Sequence, residues 1–108
     1  MIYGYVSDFK PEKGYVYFIS DGLGHVKIGI AKDVQKRLYS LQTCNPLLLE
    51  IRLVLSVKDM DDARRIEQKL HTIFNESRLR GEWFDERPVE DFLDQDEFEL
   101  CGYVFKKG

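Results

Sequence analysis

Cysteine is scarce in this chain. The two present, Cys44 and Cys101, stand in no paired spacing, which excludes a disulfide framework or a cysteine-built zinc site and suits a reducing cytoplasm. Long hydrophobic runs are missing as well: nowhere do the ~18 consecutive apolar residues of a membrane span occur. The opening MIYGYVSDFKPEKG lacks the basic head and apolar stretch of an export signal, so a cytoplasmic protein without membrane contact is expected. There is also no excess of positive charge. Against 16 Lys plus Arg stand 19 Asp plus Glu, for a net charge of -3 and a pI near 5.4, which excludes coating nucleic acid by bulk charge. With only 3 prolines, 1 tryptophan, no repeat and no low-complexity stretch, 108 residues predict one domain without a separate nucleotide-binding module.

Core material is plentiful. Hydrophobic residues make up 44% and aromatics 13%, too much for a disordered chain. Charge is graded along the sequence. Residues 22–83 carry a basic surplus, whereas 84–100 hold Arg87 against eight acids, so the middle of the chain can face a polyanion while the acidic segment faces away.

Residues 1–13 read as an extended arm, because Pro11 biases Lys10 away from helix. GYVYFIS (14–20) and HVKIGIA (25–31) read as two strands joined by the turn DGLG, a hairpin. Both faces of the first strand are apolar, Val16 and Phe18 on one side and Tyr15, Tyr17 and Ile19 on the other, so alternation alone leaves open which is core. In the second strand Val26, Ile28 and Ile30 alternate with Lys27 and Gly29, which places the latter pair on the open face. Asp33 is positioned to cap a helix buried through Val34, Leu38 and Leu41 and ending before Asn45-Pro46. LLLEIRLVLSV (47–57) predicts a third strand. A longer helix over about 59–75 follows, with Asp59, Asp61 and Asp62 at its start and Ala63, Ile66, Leu70, Ile73 and Phe74 as its stripe. GEWF (81–84) is a turn followed by two aromatics, Pro88 opens a short helix, and 94–108 form an acidic tail or a docked strand.

Phosphodiester chemistry asks for a phenol near a cation to handle water, a guanidinium to grip phosphate, and a carboxylate for a divalent ion. Tyr15 and Tyr17, Lys27, the basic ladder Lys32, Lys36 and Arg37, and the i,i+4 pair Glu67 and His71 supply these types. Ordinary readings stand beside each: tyrosine as sheet packing, lysine as a solvated strand residue, Glu67 with His71 as a helix-surface pair, Trp83 and Phe84 as a hydrophobic plug.

Together these residues resemble the GIY-YIG nuclease superfamily in its compact phage-type subgroup. Tyr15-Val16-Tyr17 stands where the family has GIY, and Lys27-Ile28-Gly29 where most members have YIG. Arg37 keeps the family separation of ten residues from Lys27. QTCNP (42–46), EQKLH (67–71) and GEWF (81–84) resemble later blocks. The resemblance covers about 14–93 and implies an α+β fold with a small central three-stranded antiparallel sheet flanked by helices. It further implies DNA hydrolysis with one Mg²⁺ or Mn²⁺ ion, Tyr17 handling the attacking water, Arg37 on the scissile phosphate, and Glu67 as sole protein carboxylate on the metal. Lys27, where tyrosine is usual, would depress the Tyr17 pKa or act on water. His71 would assist phosphate or water, or make a structural hydrogen bond, and Asn75 is the candidate for the family's later polar residue. Tyr15, Lys32 and Lys36 would join Arg37 in holding DNA. With no attached DNA-binding domain in evidence, a homodimer or a separate DNA-targeting partner would supply further affinity. A nucleic-acid-binding or regulatory module that has lost turnover is the alternative.

Overall fold

Gly14–Ser20 (β1) and His25–Ala31 (β2) form an antiparallel hairpin in which Tyr17 faces Gly29 and Ile19 faces Lys27. Asp21 organises its turn. Its Oδ1 accepts from the N–H of Leu23 at 2.8 Å and of His25 at 3.2 Å, and its Oδ2 lies 2.6 Å from His25 Nδ1. His25, the first residue of β2, thereby helps to fix the turn. The computed structural model describes residues 13–107, so the arm over 1–13 lies, but for Lys13, outside the described residues.

Val34–Thr43 (α1) begins where Asp33 accepts from the Lys36 N–H at 3.0 Å, the cap expected from sequence. Glu50–Val57 (β3) pairs antiparallel with the other edge of β1, from Gly14 opposite Val57 to Ser20 opposite Glu50, with a bulge between Phe18 and Ile19. The strand starts at Glu50 rather than Leu47 because the Gln42 side chain satisfies the preceding backbone. Gln42 Nε2 donates to Leu47 O and its Oε1 accepts from Leu49 N–H, each at 2.8 Å. Leu48 is left 73% exposed while Leu49 is buried. Met60–Ile73 (α2) is capped by Asp59, which accepts from Asp62 N–H at 2.8 Å. Ala63, Ile66, Leu70 and Phe74 enter the core as expected, but Ile73 is 43% exposed, at the margin of the apolar arc.

The expected three-stranded sheet is the centre of a larger one. Arg78–Arg80 (β4) and Trp83–Asp85 (β5) extend it, all pairings antiparallel, in the order β3-β1-β2-β5-β4. Each added strand is three residues long, too short for alternation to register in sequence. They form because β2 would otherwise present unpaired backbone. Glu86–Leu93 (α3) is capped by Asp85 and starts two residues before Pro88. Glu97–Leu100 (β6) and Tyr103–Lys106 (β7) make a separate two-stranded hairpin.

Central placement of β1 explains why both its faces are apolar. Val16 and Phe18 pack with Val26, Ile28, α2, Val89 of α3 and Leu100 and Phe105 of the hairpin; Tyr17 and Ile19 pack with Val34, Leu38 and Leu41 of α1. Trp83 and Phe84, adjacent in β5, divide between these two clusters. No helix among the described residues is long and apolar enough to cross a membrane.

The hairpin is tied to α2 through Asp62, whose Oδ2 accepts from Tyr103 O–H at 2.6 Å while Arg65 and Lys58 approach the same carboxylate. Burial alone would raise the Asp62 pKa, but the hydrogen bonds from Tyr103 and Arg65 and the nearby cations outweigh it and hold the group below the usual carboxylate range. A depressed folded-state pKa adds stability that is present above the unfolded value, about 3.9, and lost as pH falls through the folded one. Tyr103→Phe is therefore expected to cost about 1.5 to 3 kcal/mol at pH 7, with the difference from the parent shrinking below about pH 4. Urea melts of both proteins across pH 2.5 to 7 measure it, and a pH-independent difference would contradict the assignment.

Candidate metal and phosphate site

β5 pairs with β2 only over His25 to Lys27. Beyond that point no strand among the described residues pairs with the outer edge of β2, and a notch opens at Gly29. Side chains from both faces of the sheet reach this notch. Gly81, with φ at 55°, makes the turn that delivers Glu82 into it, and the Glu82 carbonyl accepts from Ile28 N–H at 3.0 Å. Gly29 is required by crowding. A Cβ there would lie 2.3 Å from the Tyr17 hydroxyl oxygen and 3.0 Å from Glu82 Oε1, so the missing side chain is the space into which phenol and carboxylate converge.

Tyr17 is buried, and Arg37, projecting from α1, hydrogen-bonds its hydroxyl. Burial raises the Tyr17 pKa, the Arg37 hydrogen bond opposes that, and the charge of Glu82 adds to it, so the net shift is upward. The phenol stays protonated at neutral pH. The expected depression by Lys27 is not found, because the Lys27 ammonium is turned to Glu82, with Nζ 3.0 Å from Oε1, and stacks 5.9 Å from the Trp83 ring centroid.

Glu67 and His71 arrive from α2. Together with Glu82 they offer ligand-capable atoms within 4.8 Å of one another, a set able to hold a divalent cation. Glu82 is the residue sequence reasoning missed: it was visible inside GEWF, but only the Gly81 turn places it beside Glu67, which is therefore not the sole carboxylate. Burial, a hydrogen bond the two carboxyls can share only when one is protonated, and repulsion by Glu82 push Glu67 up to about 7. Glu67 Oε2 is buried with no hydrogen-bond partner. A buried, acceptor-only oxygen of this kind fits a cation, and two carboxylates with one imidazole suit Mg²⁺ or, with the nitrogen donor, Mn²⁺. His71 Nε2 lies 3.0 Å from Ile28 O. A carbonyl only accepts, so Nε2 carries the hydrogen, which leaves Nδ1 turned outward, where Arg78 Nη2 stands 3.4 Å away.

The pH consequence follows from the upward shift of Glu67. Below about pH 4.5 the group is protonated in both states; as pH rises toward 7 the unfolded chain releases the proton while the folded protein keeps it, so metal-free stability falls. The expected loss is about 1 to 2 kcal/mol, less than the full shift because solvent screens the half-open notch. Glu67→Gln should remove this slope in thermal melts recorded in chelator.

Of the remaining sequence-derived residues, Tyr15 is half-buried against the α1 cluster, Lys32 and Lys36 are exposed, and Asn75 is an exposed residue in a short 3-10 turn. None of these four joins the Glu67 cluster.

No curated protein and no solved structure matches the chain significantly. A family profile does, described as the T5orf172 domain and covering residues 14–97, from the first residue of β1 to the first of β6. That span contains every side chain of the notch, and this chain belongs to the T5orf172 domain family, which is related to the GIY-YIG nucleases.

Proposed function

We propose that the chain is a divalent-metal-dependent endonuclease that hydrolyses DNA phosphodiester bonds, its catalytic unit spanning 14–93. The observation that carries this reading is the convergence at Gly29 of a tyrosine hydroxyl bonded to an arginine with a carboxylate pair of which one oxygen, Glu67 Oε2, is buried and unpartnered. Glu67 and Glu82, with His71, would hold the ion, which when bound neutralises charge developing on phosphate. Arg37 offers a planar two-donor fork to the phosphate oxygens while keeping its hydrogen bond to Tyr17. The Tyr17 hydroxyl, protonated and fixed by Arg37, orients the attacking water by accepting a hydrogen bond from it. Lys27, with Nζ 3.0 Å from Glu82 Oε1, positions that carboxylate at the notch.

The test is incubation of metal-free protein with supercoiled plasmid and with branched DNA, with and without added Mg²⁺ or Mn²⁺, beside Tyr17→Phe. Loss of the hydroxyl should leave fold and DNA binding intact and slow single-turnover cleavage by about 100-fold or more, the range for a lost group acting on the nucleophile. Rates within threefold of the parent would remove the tyrosine from the mechanism. A nucleic-acid-binding module without turnover is the second reading, and the Lys27–Glu82 ion pair favours it, since that ammonium already compensates one carboxylate. No conversion of either DNA with either metal, together with salt-sensitive DNA binding, would establish that reading instead.

A further inference from the structure

The cations of this protein divide by what they pair with. The acid-rich segment 84–100 and its hairpin absorb their own: Arg52 pairs with Glu86 and Glu90, Lys106 with Glu97, and Lys107 with Asp94. On α2, Arg64 pairs with Asp61 and Arg65 with Asp62. Lys32, Lys36 and Arg37 at α1, Lys69 on α2, and Arg78 and Arg80 on β4 make no ion pair among the described residues, Arg87 on α3 being the remaining case. Cations without an ion pair thus stand at α1, which follows β2 in the chain, and on β4, the strand beyond β5.

β4 has three further properties. Among the described residues it is the outermost strand, and its far edge pairs with no other strand of the sheet. All three of its residues are exposed, and Leu79, between the arginines at a break in register, is 55% exposed. Its arginines are tied to the notch. Arg78 lies 5.3 Å over the Phe84 ring and 3.4 Å from His71 Nδ1, while Arg80 directly precedes the Gly81 turn that places Glu82. A water-facing leucine framed by two arginines, on a strand anchored to the cluster, has the composition of a groove-contacting arm: cations for phosphates and an apolar tip for the sugar and base edges.

We propose that Arg78-Leu79-Arg80 is a second DNA-contacting arm, which binds the backbone of a duplex whose other side rests on Lys32, just before α1, and Lys36 of α1. Contact from both flanks of the notch makes double-stranded rather than single-stranded DNA the preferred substrate. This proposal rests on the nucleic-acid reading of the notch. It explains how a chain of net charge -3 meets a polyanion: the acids neutralise cations elsewhere and leave these ones without an ion pair among the described residues.

Fluorescence anisotropy with a labelled 20-base-pair duplex and the corresponding single strand, in chelator and across 20 to 200 mM salt, tests it. The parent should bind the duplex more tightly, with a steep salt dependence. Arg80→Gln should weaken duplex binding by about 5- to 10-fold and flatten the log–log salt slope by about one, the signature of one lost phosphate contact. Arg80→Glu should weaken it further, and thermal melts of both variants control for folding. If Lys36→Gln weakens duplex binding while both Arg80 variants bind as the parent does, the β4 arm is wrong and the nucleic-acid reading survives. If the parent shows no salt-dependent binding to either DNA, both fall. Equal effects of Arg80→Gln on duplex and single strand would overturn the duplex preference.

Discussion

Glu67→Ala should abolish metal-dependent cleavage, by at least about 1,000-fold in single turnover, while the protein stays folded. Glu67 supplies the one buried carboxylate oxygen at the notch that has no partner. Glu82, the other carboxylate, is already held at 3.0 Å by Lys27, and one carboxylate so compensated is a poor substitute. Asp61 and Asp62 do not stand in for it either, as Asp61 is exposed and Asp62 is committed to Tyr103 and Arg65. Because ionised Glu67 is costly in the absence of a cation, the variant should also be at least as stable as the parent in chelator at pH 7.5. Glu82→Ala should be milder, since it leaves Glu67 with its open oxygen and frees Lys27. The pair of rates, with isothermal titration of Mn²⁺ into each protein, checks the assignment. Parental cleavage by Glu67→Ala would mean that the activity belongs to a contaminant or to a different centre.

For Arg37→Ala, the transition state should lose roughly 3 to 5 kcal/mol, about 10²- to 10⁴-fold in kcat/KM, the size expected when a charge-assisted contact to phosphate is removed. Arg37 also bonds the Tyr17 hydroxyl, so its loss releases the phenol. Removing that hydrogen bond leaves only the influences that raise the Tyr17 pKa, burial and the nearby carboxylates, and the tyrosine ionisation should move further up. Arg37→Lys should restore only part of the rate, because an ammonium keeps the charge and loses the planar fork. A difference-absorbance titration near 295 nm alongside the cleavage rates separates the two roles. If Arg37→Ala lowers the rate but leaves the tyrosine titration where it was, the guanidinium acts on phosphate alone.

Much of this arrangement was legible before any coordinates. The caps Asp33 and Asp59, the stripes of α1 and α2, and the glycine-bearing turn of the first hairpin depend on residues within a few positions of one another, so local spacing determines them. The sequence by itself also determined a small α+β domain and brought Tyr17, Arg37, Glu67 and His71 together as candidates through the order of their motifs. Tertiary structure alone decided three things. It chose the faces of β1, since alternation between two apolar sets carries no sign until α2 and its neighbours cover one face and α1 the other, making both core. It added β4 and β5, each three residues long, whose formation depends on the unpaired edge of β2 rather than on their own periodicity. And it brought Glu82 beside Glu67 and turned Lys27 from Tyr17 toward that carboxylate. The reason is common to all three: hydrogen bonding along a sheet edge and electrostatics across a notch act between residues far apart in the chain, and such distances in space are set only when the strands pair.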